Sequence, residues 1–152
     1  MKYLDKEILR MYSPGHILKR RAQSNYTFNG TKISIPKGTN LWIPVCGIHY
    51  DPDIYPNPKK FDPERFNEDA EAARHPMHYL PFGNGPRNCI GGRFAISETK
   101  VGIITILRNY KVDVCDKTMI PYELEPGAFA MALKGGIYLK MTKISRECKV
   151  VS

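Results

Sequence analysis

LPFGNGPRNCIGGRFA, residues 80–95, holds one cysteine, Cys89, inside a bend and just ahead of an apolar run with helical spacing. Gly83, Asn84, Gly85 and Pro86 form a loop before it, Arg87 stands two places ahead of the sulfur, and Gly91 follows two places after it. A sulfur that must stay ionised needs positive potential, which the free N–H groups at the start of the following helix would supply. Gly83 and Gly85 would let backbone N–H groups approach the sulfur with no Cβ in the way. Such hydrogen bonds tune how much electron density a metal-bound thiolate gives away. Arg87 is suited to a carboxylate near the sulfur, and Gly91, read as lying on the first helical turn, leaves room for something bulky. A flat, iron-centred group with carboxylates at its edge meets all of these needs together.

Outward from this bend, Ile90, Phe94, Val101, Ile104 and Leu107 recur at spacings that put them on one side of a single long helix, residues 90–110. Beyond it, residues 111–115 and 136–142 read as extended segments around a loop at 120–134, with Ile137, Leu139 and Met141 at period two. Upstream, residues 1–12 predict a short amphipathic helix with Leu4, Ile8 and Met11 on one face, ended by Ser13-Pro14-Gly15. Asn29-Gly30 predicts a hairpin over 25–36, because both turn residues tolerate positive φ; Tyr26 and Phe28 would share a face with Ile33 and Ile35. A strand over 40–44 follows, and the prolines clustered from Pro36 to Pro86 predict a centre rich in turns.

Composition narrows the classes of function. The 152 residues fit one globular domain, and a 42% hydrophobic content is enough for a core. The net charge of +8 suits nucleic acid, an anionic membrane surface or an acidic partner without choosing among them. The four cysteines, Cys46, Cys89, Cys115 and Cys148, form no C-x-x-C pair, which argues against a zinc ribbon or a dense disulfide framework and for reduced thiols. His75 and His78 lack the second ligand pair that zinc needs. Gly83-x-Gly85-x-x-Asn88 lacks the third glycine of a dinucleotide loop.

The order Phe82-Gly83-x-Gly85-x-Arg87-x-Cys89-x-Gly91 resembles the haem-binding signature of the cytochrome P-450 family. Glu7-Ile8-Leu9-Arg10 resembles the Glu-x-x-Arg of that family's K helix, and Pro63-Glu64-Arg65-Phe66 its meander motif. Ile35 to Thr39 and His49-x-Asp51-Pro52 resemble the strand and short-helix region between them, and Lys134 to Lys140 is most similar to the insect microsomal branch. The resemblance implies that Cys89 is the catalytic residue and the axial thiolate of haem b (iron protoporphyrin IX). It makes Phe82, Gly83, Gly85, Arg87, Gly91 and Arg20 the cofactor contacts, Arg20 for a propionate, and Glu7, Arg10 and Arg65 a structural cluster. Arg10 shares a helix face with Glu7 at i, i+3, and a guanidinium from a distant loop can clamp the same carboxylate.

The implied fold class is α+β, the C-terminal part of a mainly helical fold: K helix, small β-sheet, meander, cysteine loop, L helix and C-terminal hairpin. Residues 1–152 would form the haem-binding part of one incomplete domain. The implied function is insertion of one oxygen atom from O2 into an apolar small molecule, with electrons from the flavoprotein NADPH-cytochrome reductase. The implied place is the cytosolic face of the endoplasmic reticulum membrane, reached through an N-terminal anchor. Such an anchor and the family's oxygen-activating helix are expected to be missing: Gly102-Ile103-Ile104-Thr105 lacks the acid of that motif, and MKYLDKEILR is too charged for a signal peptide. Tyr3-Leu4-Asp5 also runs into Glu7 about three residues early for the family, which turns the preceding segment round the helix. Alone, the chain is therefore expected to be inactive. The alternatives are a non-catalytic remnant that binds haem weakly or not at all and, on charge alone, a basic nucleic-acid-binding module. Phe129 and Met131 lie in a loop that relatives aim at substrate, and they equally suit a core.

Overall fold

In the computed structural model, residues 2–125 and 131–144 are described. Lys2–Met11 form helix α1, as the apolar spacing predicts, but it buries a different face. Leu4 and Ile8 are 42% and 39% exposed, whereas Glu7 and Arg10 are buried beside Met11. Charge goes inward here because the guanidinium is fully partnered. Arg10 Nε and Nη2 donate to the two Glu7 carboxylate oxygens at 2.7 and 2.8 Å. Its Nη1 and Nη2 also reach the carbonyls of His49 and Pro58, both at 2.8 Å. A buried ion is tolerated when each of its donors is met.

Among the described residues, α1 belongs to the first of two compact units, residues 2–89 with Met131; the second comprises residues 90–125 with 132–144. In the first unit β1 (Ile17–Arg21) pairs antiparallel with β4 (Asn40–Pro44), from Ile17 opposite Pro44 to Arg21 opposite Asn40. The sequence predicts β4, whereas β1 runs through the cationic stretch Lys19-Arg20-Arg21. Strand alternation sorts its side chains: Leu18 and Arg20 are half-buried, and Lys19 and Arg21 face water. β2 (Tyr26–Thr27) and β3 (Ser34–Ile35) form the predicted hairpin, with Tyr26 opposite Ile35 and the Tyr26 and Phe28 rings edge-on at 5.2 Å. Only Gly30 takes positive φ (74°), so the turn is not the doubly left-handed type that Asn29-Gly30 predicts.

The proline-rich centre is made of turns tied down by side chains. Helix α2 (Val45–His49) buries Val45 and His49. A 3-10 turn, Pro63–Phe66, and helix α3 (Glu68–Ala73) start at Asp62 and Asn67, whose side chains accept the N–H groups of Glu64 and Ala70. Tyr50, Tyr55 and Tyr79 donate their hydroxyls to the carbonyls of Met11, His78 and Lys6 at 3.0, 2.8 and 3.1 Å. Aromatic packing closes the centre, with Phe66 and Tyr79 rings 4.9 Å apart.

In the second unit α4 (Gly92–Asn109) continues directly into β5 (Tyr110–Asp113), which pairs antiparallel with β6 (Lys140–Lys143). The extended segment predicted from residue 136 joins this ladder only at Lys140. Gly135 and Gly136 have φ of 74° and 79°, and the carbonyl of Tyr138 is taken by the Thr118 hydroxyl at 2.6 Å. A Leu124–Leu133 bridge narrows the predicted loop. Phe129 and Cys148 lie outside the described residues, and Met131 is half-buried. Among the described residues, no helix is long and apolar enough to cross a membrane.

Candidate functional site

The bend around Cys89 is closed by its own backbone. Cys89 N–H donates to the Phe82 carbonyl at 2.8 Å, Asn88 N–H to Gly85 at 3.1 Å, and Gly83 N–H to Leu80 at 3.1 Å. Gly83 and Gly85 have φ of 75° and 77°, a region that disfavours any residue with a Cβ. Their own N–H groups are engaged within the loop, that of Gly83 by the Leu80 carbonyl and that of Gly85 by Asn84 Oδ1 at 2.5 Å. The glycines therefore serve the bend through backbone conformation. Cys89 is an exposed, free thiol at its end. Gly91 precedes α4 as its N-cap rather than lying in the first turn, with φ −88°.

These φ values carry a prediction. Gly83→Ala and Gly85→Ala should each cost about 1–2 kcal/mol from left-handed strain, read as a lower urea midpoint. Gly15→Ala, with negative φ and nothing within 4 Å of the added carbon, should be neutral or stabilising by up to about 1 kcal/mol.

β1 brings Arg20 to this bend. A Cβ placed on Gly83 would lie 3.7 Å from Arg20 Nη2 and from Leu18 Cδ2, and 3.8 Å from Asn88 Cα. Arg20 Nη2 lies 3.5 Å from the Arg87 carbonyl oxygen. Beside them opens a cavity of about 760 Å³ lined by Lys19, Arg20, Arg21, Gln23, Asn84, Pro86 and Arg87. Four of these residues are cationic and none is acidic, so the cavity favours an anion. An exposed thiol, a glycine bend and cations that suit carboxylates all belong to the first unit.

Glu7 stands between two guanidiniums, those of Arg10 and Arg65. Glu7 Oε1 also accepts Asp62 N–H at 3.0 Å. Arg65 Nε stands 3.6 Å from that oxygen, an ion pair without a hydrogen bond, while Arg65 Nη2 donates to the Asn57 carbonyl at 3.1 Å. Arg74 adds a further guanidinium, over the rings of Tyr55 and Phe66 at 4.7 and 4.8 Å.

Sequence reasoning missed the centre of this network. His49 is buried between Arg10 and Leu80, and burial pulls its pKa down to about 4. The sequence marked it only as the first residue of His49-x-Asp51-Pro52, with no role in the cluster. Burial also pushes the Tyr55 hydroxyl up to about 12. Among the other thiols, burial raises Cys46, which lies 3.3 Å from His16 Nδ1. The Thr118 hydroxyl lowers Cys115. His75 Nδ1 accepts Met77 N–H at 3.2 Å.

Residues 1–141 match the family model described as Cytochrome P450. Cytochrome P450 6a2 of Drosophila melanogaster is 44% identical over 148 residues, 95% of this chain and 29% of that protein. Cytochrome P450 9e2 of Blattella germanica is 43% identical over 151 residues, 97% of this chain and 28% of its own length. Cytochrome P450 6A1 of Musca domestica is 40% identical over 153 residues, 97% of this chain and 30% of its own length. The chain thus spans less than a third of the length of the curated relatives it matches.

Proposed function

The chain belongs to the cytochrome P450 family, on its insect branch, and on that premise we propose that it forms the haem-ligating part of a monooxygenase, with Cys89 as the thiolate ligand of the iron. The observation that carries this reading is an exposed thiol closing a glycine bend beside a cavity lined by four cations and no acid. Haem, which this family uses, supplies the activation of O2 when its iron is held by a thiolate.

The residues of the chain have separable roles in this proposal. Cys89 Sγ donates to the metal. Gly83 and Gly85 hold the bend that turns the sulfur outward, and Phe82, half-buried, offers an apolar ring. Arg20 and Arg87 pair with propionates, and Gly91 leaves space before α4. Glu7, Arg10 and Arg65 hold the surrounding turns rigid. In family terms α1 is the K helix, residues 63–66 the meander, α4 the L helix, and β5 with β6 the C-terminal hairpin. The natural substrate class is an apolar small molecule, and the electron donor a flavoprotein reductase attracted by the basic surface. The location is the cytosolic face of the endoplasmic reticulum membrane.

The test is to add haemin to the purified chain, reduce it and add carbon monoxide. A thiolate-ligated iron absorbs at a far longer wavelength than a histidine-ligated one. The wild type is expected to show that band. Cys89→Ala is expected to lose it completely with its unfolding midpoint unchanged, because an exposed side chain contributes little to stability. A long-wavelength band that survives the substitution would sink the assignment, and no band in the wild type would favour the non-catalytic remnant.

A further inference from the structure

We propose that His49 is a positioning residue for the cysteine loop, coupling it to the buried Glu7–Arg10 pair; its bearing on iron ligation rests on the assignment of Cys89 above. His49 is fully buried at the end of α2, and its two ring nitrogens face segments far apart in sequence. Nδ1 lies 3.1 Å from the carbonyl oxygen of Arg10, and Nε2 lies 2.9 Å from the backbone nitrogen of Leu80. A carbonyl only accepts and a backbone N–H only donates, so the tautomer is determined: Nδ1 carries the proton and Nε2 accepts. The neutral ring alone makes both bonds.

The ring is held on its other sides too. Arg10 Nη1 returns a hydrogen bond to the His49 carbonyl at 2.8 Å. Tyr79 stacks on the imidazole at 5.7 Å and 21°, and Tyr55 meets it edge-on at 6.4 Å. A ring clamped in this way has one orientation, and its lone pair fixes where the Leu80 N–H must sit. Leu80 is where the bend begins. Its carbonyl accepts Gly83 N–H at 3.1 Å, and the carbonyl of Phe82 accepts Cys89 N–H at 2.8 Å. A short series of backbone bonds therefore runs from the imidazole to the residue that bears the sulfur. An apolar residue of similar volume would fill the space but would leave the Leu80 N–H and the Arg10 carbonyl unmet.

Two substitutions separate the two bonds. Asparagine places its amide near Nδ1 and has no atom near Nε2, so His49→Asn keeps the Arg10 side and loses the Leu80 side. Glutamine reaches the Nε2 position with an accepting oxygen, so His49→Gln keeps the Leu80 side. In the full chain without haem, amide hydrogen exchange at Leu80, Gly83 and Cys89 is expected to be at least about tenfold faster in His49→Asn than in the wild type or His49→Gln. The α1 amides should not show this selective rise. Unchanged exchange at Leu80 to Cys89, equal rises in both variants, or uniform acceleration across the unit would overturn the positioning role. With haem, reductant and carbon monoxide added, His49→Asn is expected to lose most of the long-wavelength band and His49→Gln to keep it; equal bands would count against the proposal. Were the wild type itself to show no such band, the ligand assignment would fail, while the exchange pattern would still decide whether His49 positions the loop.

Discussion

Glu7→Ala is expected to lower the stability of the first unit by about 3–5 kcal/mol, the usual cost of removing one partner from a buried ion pair. The carboxylate is fully buried and serves four groups: Arg10 Nε and Nη2, Asp62 N–H and the nearby Arg65 guanidinium. Its loss leaves the fully buried Arg10 and the mostly buried Arg65 without the carboxylate they share. Native domains are stable by only about 5–15 kcal/mol, so this one change is enough to leave the unit largely unfolded at moderate urea. Replacing both Glu7 and Arg10 by apolar residues should not restore full stability, although such exchanges are often neutral elsewhere. Arg10 also satisfies the carbonyls of His49 and Pro58, and these would go unmet. Urea unfolding followed by tyrosine fluorescence measures both variants. A loss below about 1 kcal/mol for Glu7→Ala would mean that the cluster contributes no more than an exposed pair.

The second large effect is a dependence on acid. His49 has a folded-state pKa of about 4, against an ordinary value of 6.5, chiefly because burial disfavours the charged ring. Between those values the unfolded chain binds a proton that the folded chain refuses, so stability rises with pH across this window. The contribution is fully present above about pH 6.5, is lost progressively as pH falls toward about 4, and amounts to about 3 kcal/mol in total. Urea midpoints taken from pH 7.5 down to pH 4.5 should therefore fall steeply in the wild type. In His49→Gln, which has nothing to titrate at this position, the slope should be shallower by that amount. Parallel slopes in the two proteins would show that His49 is not held neutral.

Much of this was legible in the chain itself, because the decisive features are local. Gly83, Gly85 and Cys89 mark a bend and its thiol through residue types whose conformational limits do not depend on context. Asn29-Gly30 marks a hairpin, the periodic apolar residues mark α4, and the spacing of Glu7 and Arg10 puts them on one helix face. Local pattern misled where burial decided the outcome. The apolar stripe Leu4, Ile8 and Met11 points one way, yet α1 turns Glu7 and Arg10 inward, because carbonyls some forty residues away were there to receive the guanidinium. β1 was invisible in the cationic run that contains it, since a strand is identified by its partner, here Asn40–Pro44.

Residue order alone therefore determined the family, the presence of a glycine bend ending in Cys89, and the two motifs that supply the Glu7, Arg10 and Arg65 trio. Only the tertiary structure decided which side chains line the cavity beside that bend, that the glycine N–H groups are spent on the loop itself, and that His49 stands between Arg10 and Leu80. The physical reason is that conformational preference is a property of neighbouring residues, whereas desolvation and hydrogen-bond satisfaction depend on groups that meet only after the chain has folded.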